Sequence, residues 1–593
     1  MLTDSQLSRL LTGVRRPARY IGGEVNSVRK DWGSVECRIA LAFPDIYEIG
    51  MSHLGLDILY GLVNAREDAL AERVFMPWFD MEERLVESGT PLFSLETRRG
   101  LGEFDIIGFS LQYELSYPTV LRMLDMAGVP RRRSERAGGD WPLVVAGGPC
   151  VFNPLVLEEF IDVFVVGDGE EALGELIDVW KEKNDSGRDE LLRALARRVP
   201  GAYVPALHEG TGDGDASGTV EPACVGDLDG AFYPTAPVLA HVEAVHDRIS
   251  LEIMRGCGRG CRFCQAGMTR RPVRLRSAGK LVELAEQSYR NTGYSEISLV
   301  SLATGDYPRL EELAARLAHI FTPLRVSLAY PSLRADRALE IIPKSAGEVR
   351  KTTITIAVEA GTDRLRKVIK KEITEEGLLR GTESAFEAGW NRVKLYFMVG
   401  LPTETIEDVA ATADLVEKVI EVGRRSGRQP RVSVSVAPFI PKPATPFQWE
   451  PMAPRAYLEE ARALLAAKFR RRPVKMAFHR IDRSIVEAAL ARAGRQGAQA
   501  LAAAANMGAR LDAWDEGFDF SVWRRAFDAA GIDLEEYACR RLPPEEPLPW
   551  AHVSGGMPLE FLRREHRRAL ECSSARTPDA GRGSGEKGPA DAS

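Results

Sequence analysis

Twice along this 593-residue chain, short runs of Val, Ile and Leu alternate with stretches of helical periodicity. Strands that are apolar throughout must be buried on both faces, and long helical connections permit parallel pairing. The pattern predicts parallel α/β layers, with ligands at the carboxyl ends of the strands. A chain this long exceeds a single core, so the two runs read as separate domains.

The first run has strands at 37–43 (CRIALAF), 104–112 (FDIIGFSLQ) and 141–149 (WPLVVAGGP). A fourth strand passes through Gly167 into a helix within 162–180, and further helices cover 53–63 and end near 127. Residues 33–205 are therefore expected to form a Rossmann-like parallel sheet, after a locally basic lead-in at 1–32. The second run, 249–450, places strands at 251–254, 296–302, 325–329, 352–358, 392–399 and 431–437. Six βα units fit a partial (β/α)6 barrel. A linker at 206–248 includes the pliable HEGTGDGDASG. Residues 451–572 read as a helical region and 573–593 as a disordered tail.

Charge and cysteine usage narrow the function classes. A formal net charge of −7 is no global nucleic-acid footprint. One local basic run gathers Lys475, His479, Arg480, Arg483 and Arg492, read as reaching a common surface that either serves a phosphate-bearing substrate or is simply solvated. Trp514, Phe518, Phe520, Trp523 and Phe527 have the spacing of a helical core rather than of base-stacking platforms. No run of 18 or more apolar residues occurs, so no membrane span is expected. Eight scattered cysteines make no disulfide framework and suit a reducing cytoplasm.

Three of those cysteines, Cys257, Cys261 and Cys264, fall within EIMRGCGRGCRFCQAG, residues 252–267. A structural zinc site asks for four ligands, and the nearest histidines, His241 and His246, lie across the preceding strand. An iron–sulfur cubane accepts three thiolates and leaves one iron open to a substrate or cofactor. Gly256, Gly258 and Gly260 allow the backbone to wrap a bulky cluster, and Arg255, Arg259 and Arg262 are expected to offset its negative charge. Cluster, zinc and simply packed thiols all remain open on spacing alone.

The C-x3-C-x2-C spacing, with Phe263 before the last cysteine, resembles the radical SAM superfamily. There the three thiols hold a [4Fe-4S] cluster whose fourth iron is chelated by S-adenosyl-L-methionine. Further segments carry the resemblance. In VSLATGDYPRL (300–310), Gly305-Asp306 stands where the family has a GGE-like turn receiving the methionine amino group; the usual glutamate is absent, which leaves Thr304 or Asp306 to serve. SLAYPSLR (327–334) resembles a strand end near the cofactor and contains Ser332. TIAVEAGTDRLRKVIKK (355–371) resembles a ribose-contacting segment, with Glu359 at the strand end and Arg364 and Arg366 nearby. YFMVGLPTET (396–405) resembles the G-L-P-x-E-T step that begins at Gly400. APFIPKPATPF (437–447) looks like a closing loop of tRNA methylthiotransferases. The plain alternatives are an ion pair for Glu359 and a strand-exit turn at Gly400.

A parallel domain ahead of such a barrel resembles a cobalamin-binding arrangement. FPDIYEIGMSHLGLDIL (43–59) has Asp45, but Tyr47 where that family's carrier version has its cobalt-ligating histidine, so His53 is not assigned that role. Ser110, Gly147, Gly148 and Gly169 close strands facing the expected site. The resemblance implies cobalamin held without a protein lower ligand, or a degenerate domain that orients substrate. Methylthiotransferases carry a second cluster on three N-terminal cysteines. Cys37, Cys150 and Cys224 are too dispersed for that; Cys150 is the one aimed at a pocket, and Cys37 and Cys224 read as packed thiols. From RYIGGE (19–24) to LPWAHVSGGM (548–557) the chain resembles an uncharacterised family of cobalamin-domain radical SAM proteins that is associated with a small radical-SAM-linked protein. That family's tail cysteine is replaced here by Ala580.

These resemblances imply an enzyme that reductively cleaves S-adenosylmethionine to modify an unknown, RNA-related substrate by methylation or other C–H functionalisation. A small reductant protein and the radical-SAM-linked protein are the implied partners. Two rivals stand beside this reading: a metal-cluster scaffold binding RNA or a protein without turnover, and a methyltransferase using only the polar chemistry of S-adenosylmethionine.

Overall fold

The computed structural model describes residues 1–208, 218–331, 353–470 and 472–574. Ser332, most of the Gly/Asp-rich linker and the expected disordered tail, with Ala580, lie outside the described residues.

The first domain is a six-stranded sheet in the order β2-β1-β3-β4-β5-β6. Its strands are β1 (Cys37–Phe43), β2 (Ala69–Phe75), β3 (Ile106–Ser110), β4 (Leu143–Gly147), β5 (Val163–Val165) and β6 (Ala202–Tyr203). All pairings are parallel except that of β5 with β6. Strand order reverses at β1, which pairs with β2 on one side and β3 on the other. Chain leaving β1 and chain leaving β3 diverge there, opening a crevice at the carboxyl ends.

Strand β2 carries Glu72 and Arg73 at fully buried positions, which hides it from a reading by apolar runs. Partners make the burial tolerable. Arg73 pairs with Glu96 at 2.6 Å and with Glu24 at 2.9 Å, while Ser94 and Thr97 donate to Glu72 at 2.5 and 2.7 Å. A paired and hydrogen-bonded charge avoids most of the cost of isolated burial. The lead-in segment thus takes part in this core: Glu24 is one of those partners, and Arg19 is buried against Glu48 at 2.8 Å.

The second domain is an open half-barrel built from two parallel sheets. One has the order β11-β10-β7, from β7 (Ile249–Glu252), β10 (Glu296–Val300) and β11 (Ser327–Ala329). The other runs β12-β13-β14-β15, from β12 (Ile354–Glu359), β13 (Arg392–Val399), β14 (Arg431–Pro438) and β15 (Val474–Phe478). Strand β15 lies in a stretch expected to be helical, and it adds a seventh strand beside β14. A two-stranded antiparallel ribbon, β8 (Met254–Arg255) with β9 (Arg274–Leu275), ties together the two ends of the cysteine loop.

The C-terminal helices join the two domains rather than trailing from them. Toward the first domain, Trp514 donates to Asp45 at 2.8 Å and Asn153 donates to Ala493 O at 2.9 Å; toward the barrel, Glu487 pairs with Lys442 at 2.8 Å. Trp523 and Phe527 are fully buried in the shared core, as the helical spacing predicted. Each such side chain contributes about 1.5–3 kcal/mol on leaving water. Among the described residues no helix is long and apolar enough to cross a membrane.

Candidate functional site

The cysteine loop leaves the carboxyl end of the first barrel strand. Gly256 stands at φ +88, and a Cβ there would lie 2.3 Å from Arg270 O, so only glycine fits. Cys264 caps the short helix Gln265–Thr269, its sulfur accepting from Gly267 N–H at 3.3 Å. All three thiols are half-buried. Burial pushes Cys261 up to about 11, against the pull of Lys371, and the neighbouring thiols add to the rise. Burial also raises Cys264, opposed by the Gly267 N–H. Thiols this close to one another bind metal only by releasing their protons. Among the described residues no three His, Cys, Asp or Glu side chains are grouped as ligands of one ion. Three thiols are one ligand short of a tetrahedral zinc site and match in number and kind the donor set of an iron–sulfur cubane.

The loop arginines do not face the thiols as expected. Arg259 is committed to Asp306, its Nε donating at 2.7 Å, and to Glu372 at 3.2 Å. Arg262 is buried, donating to Val368 O at 2.7 Å and pairing with Glu565 of the C-terminal helix Leu559–Ser574 at 3.3 Å. Arg255 goes to Glu252 and Glu170. Carboxylates within reach of a guanidinium fork outcompete a soft thiol. The cation beside the thiols is Lys371, which also pairs with Glu359 at 3.1 Å. Spacing gave no hint of Lys371, which follows Lys370 and is one of several basic residues in 364–371.

The remaining cofactor candidates divide. Glu359 ends β12 at φ +72, a conformation costing a non-glycine residue about 1–3 kcal/mol and typical of functional sites. Asp306 follows β10 at the site's edge. Phe263 packs with Leu365, Leu401, Phe447 and Ala569 and anchors the loop to the C-terminal helix. Thr304 is wholly buried and its hydroxyl donates to Pro331 O at 2.7 Å, pinning two turns together. Arg364 likewise turns away from Glu359, donating to Thr403 O at 3.0 Å and to Asp408. Arg366 is buried against Ala360 O at 2.6 Å. Gly400, at φ +80, lies where a Cβ would be 2.6 Å from Ala453 Cβ, and its N–H donates to Glu404 at 2.6 Å. Gly305 sits in the 3-10 turn Thr304–Asp306.

Between the two domains lies a cavity of about 480 Å³. Its floor is the face of the first sheet formed by Ile39, Leu41, Ile106, Gly108, Val145 and Val165. Ser110, Gly147, Gly148 and Gly169 all line it. Gly108 matters most for its room: a Cβ there would meet nothing nearer than Leu41 Cδ2 at 3.8 Å. The opposite wall comes from the barrel, with Glu252, Arg255, Gly256, Ala266 and Arg270. The cavity therefore reaches the cysteine loop itself.

His53 also lines this space, but its hydrogen bonds run against metal ligation. Its Nδ1 accepts from Leu56 N–H at 3.1 Å, which puts the proton on Nε2, and burial lowers its pKa. A ligating histidine instead donates from its second nitrogen. Cys150 is corrected as well: it is buried in the core beside Tyr117 and does not face the cavity. Cys37 is fully buried, as expected, whereas Cys224 is exposed, with Arg274 3.1 Å from its sulfur. The basic run does not share one surface. Arg492 is buried, donating to Ala538 O at 2.9 Å, and Arg480 and Arg483 both pair with Asp515, leaving Lys475 and His479 exposed.

Two family patterns match within the chain. A pattern described as the N-terminal region of radical SAM proteins matches residues 55–205, and the radical SAM superfamily pattern matches residues 251–416. Over 415 residues the chain is 30% identical to the uncharacterized protein MJ0966 of Methanocaldococcus jannaschii, covering 70% of this chain and 79% of the relative. It is 26% identical to the ribosomal protein uS12 methylthiotransferase RimO of Pelobacter propionicus over 43% of this chain and 61% of the relative. Among solved structures, the methyltransferase TsrM of Kitasatospora setae, with cobalamin and a [4Fe-4S] cluster bound, aligns at a TM-score of 0.46 and 15% identity, covering 70% of this chain and 74% of TsrM. The cobalamin-dependent enzyme OxsB aligns at 0.45 and 16% identity, covering 64% and 52%.

Proposed function

The chain belongs to the radical SAM superfamily of enzymes, and from that premise we propose a cobalamin-using member that methylates or otherwise functionalises a C–H position of an RNA-related substrate. The observation that carries the cobalamin part is the 480 Å³ cavity, apolar along the first sheet and open to the cysteine loop. When bound, a cluster with S-adenosylmethionine supplies one-electron reductive cleavage, and a corrinoid supplies a methyl carrier.

The chain's own groups take four tasks in this reading. Cys257, Cys261 and Cys264 hold the cluster. Asp306, after β10, and Glu359, at the end of β12, orient S-adenosylmethionine, with Arg259 and Lys371 fixing their carboxylates. Gly108, Gly147, Gly148 and Gly169 keep the cavity clear for a corrinoid, and His53 gives it no lower ligand. The apolar wall excludes water from reactive intermediates. The RNA-related substrate is supported by relatives named tRNA-2-methylthio-N(6)-dimethylallyladenosine synthase, such as those of Staphylococcus epidermidis and Thermotoga petrophila, and by exposed Lys475 and His479. A cytoplasmic setting and a small reductant protein complete the reading, with the radical-SAM-linked protein as partner.

The test is anaerobic turnover of reconstituted protein with S-adenosylmethionine and a strong reductant, with and without hydroxocobalamin. The reading expects 5′-deoxyadenosine or S-adenosylhomocysteine from the wild type and neither from Cys261→Ala. Failure of both products from protein carrying four irons per chain would leave a scaffold role.

A further inference from the structure

The ribbon that closes the base of the cysteine loop reaches out of the barrel. Arg255 lies on β8 and Arg274 on β9, and Arg270 follows the short helix after Cys264. All three converge on one carboxylate of the first domain. Asp168, 4% exposed, sits in the turn between β5 and the helix Glu170–Lys183. Arg274 Nη1 donates to Asp168 Oδ2 at 2.5 Å, Arg270 Nη1 donates to Oδ1 at 3.0 Å, and Arg255 Nη1 lies 3.3 Å from Oδ1. The Val225 N–H, from the linker, donates to Oδ2 at 3.1 Å.

Arg255 then bridges onward, to Glu170 at 2.7 Å and to Glu252 at 3.0 Å. Burial pushes the Asp168 carboxyl up, and Arg255, Arg274 and Arg270 outweigh it and hold it below its ordinary value. Removing this one charge would leave three guanidiniums facing each other in a buried space, the costly way to break a buried network. The same elements wall the cavity. Gly167, Asp168, Gly169 and Glu170 line one side, and Arg255, Gly256 and Arg270 line the other. Arg255 stands two residues before the first cluster cysteine.

We infer that Asp168 is a positioning residue that sets the pose of the cysteine loop from the neighbouring domain, and that a ligand filling the cavity acts on that pose through the same turn. The first half stands on the chain alone; the second rests on the cavity reading above. Such coupling is reciprocal: cavity ligand and loop metal tighten each other by one common factor, ordinarily about 5- to 150-fold.

Asp168→Asn, nearly isosteric, tests this against the wild type. Glu565→Gln serves as a control that frees Arg262 on the loop's other side without touching the first domain. In the metal-free chain, amides of 255–275 should exchange at least about 10-fold faster in Asp168→Asn, with those of β4 unchanged. In reconstituted protein, hydroxocobalamin should slow iron release to a chelator and alter the reduced cluster's EPR signal in the wild type and in Glu565→Gln. Neither effect should occur in Asp168→Asn, and a purely structural aspartate would not produce that split.

Unchanged loop exchange in Asp168→Asn overturns the first half. Equal slowing in both proteins overturns the second. If the wild type binds no hydroxocobalamin, the cavity reading and the coupling both fall, while loop exchange still decides the positioning role. Should Asp168→Asn not fold, Arg270→Gln removes one partly exposed donor and is expected to show the same exchange change at smaller amplitude.

Discussion

The two parallel sheets meet over one cavity but present it with opposite chemistry. The first sheet offers Ile39, Leu41, Ile106, Val145 and Val165 around the bare backbone of Gly108. The barrel offers Glu252, Arg255 and Arg270, all engaged in ion pairs, beside the cysteine loop. An apolar floor with glycines left open suits a large rigid body held by shape. A charged wall whose members are mutually satisfied holds geometry instead, because its groups are already paired. In the proposed function, ligand capacity falls to the first sheet and chemistry to the barrel, and mutation can separate the two.

The sharpest separation is expected from Cys261→Ala. It should reduce 5′-deoxyadenosine formation to the level without enzyme, at least about 10³-fold, since loss of a cluster ligand removes the reaction rather than tuning it. Hydroxocobalamin affinity, measured by equilibrium dialysis with both proteins metal-free, should stay within about twofold of the wild type. Loss of both would mean that the walls are not independent. The converse substitution, Gly108→Val, fills the slot above Leu41 with a residue that strands favour. Hydroxocobalamin should bind at least about 100-fold more weakly, while any 5′-deoxyadenosine formed without it stays within a few-fold. A valine variant that binds the vitamin as well as the wild type would place the ligand elsewhere.

Smaller effects sharpen the barrel side. Glu359→Gln leaves Lys371 without its partner beside the thiols, and should raise the KM for S-adenosylmethionine about 10-fold with a lesser change in kcat. An effect on kcat alone would exclude a binding role for the strained strand end. The smallest expected effect is on pH. Burial raises Glu404 to about 7, against hydrogen bonds from Gly400 and Tyr457. A carboxyl that holds its proton more tightly in the folded state stabilises the fold below its unfolded value, near 4.5, and loses that contribution as pH rises toward 7. Its worth is on the order of 3 kcal/mol. Urea midpoints between pH 4.5 and 8 should therefore fall less steeply for Glu404→Gln than for the wild type. Parallel slopes would assign the pH dependence to other buried acids.

Local spacing made the cysteine loop and the strand ends at Ser110, Gly147, Gly148 and Gly169 legible, because each depends on residues close together in sequence. Strand β2 was not legible: its Glu72 and Arg73 read as surface until their partners Glu24, Ser94, Thr97 and Glu96 are seen. Strand β15 was hidden by the basic run that begins within it at Lys475 and continues through His479 and Arg480. Thr304 looked like a cofactor contact from its motif position, yet its neighbour across the fold, Pro331 O, takes its hydroxyl. The arginines of the loop were read as charge compensation for a cluster. Partners far off in the chain take them, Glu565 for Arg262, Asp306 and Glu372 for Arg259, and Asp168 and Glu170 for Arg255, and pairing at that range leaves no local pattern.

The central claim is that the space between the domains holds a corrinoid against the cysteine loop. Its most direct measurement is a visible-absorbance titration of purified wild-type protein with hydroxocobalamin, followed by desalting and quantification of bound vitamin per chain. The account predicts one equivalent retained by the wild type and by Cys261→Ala, and none by Gly108→Val. A wild type that retains no vitamin, or a Gly108→Val variant that retains as much as the wild type, would contradict it.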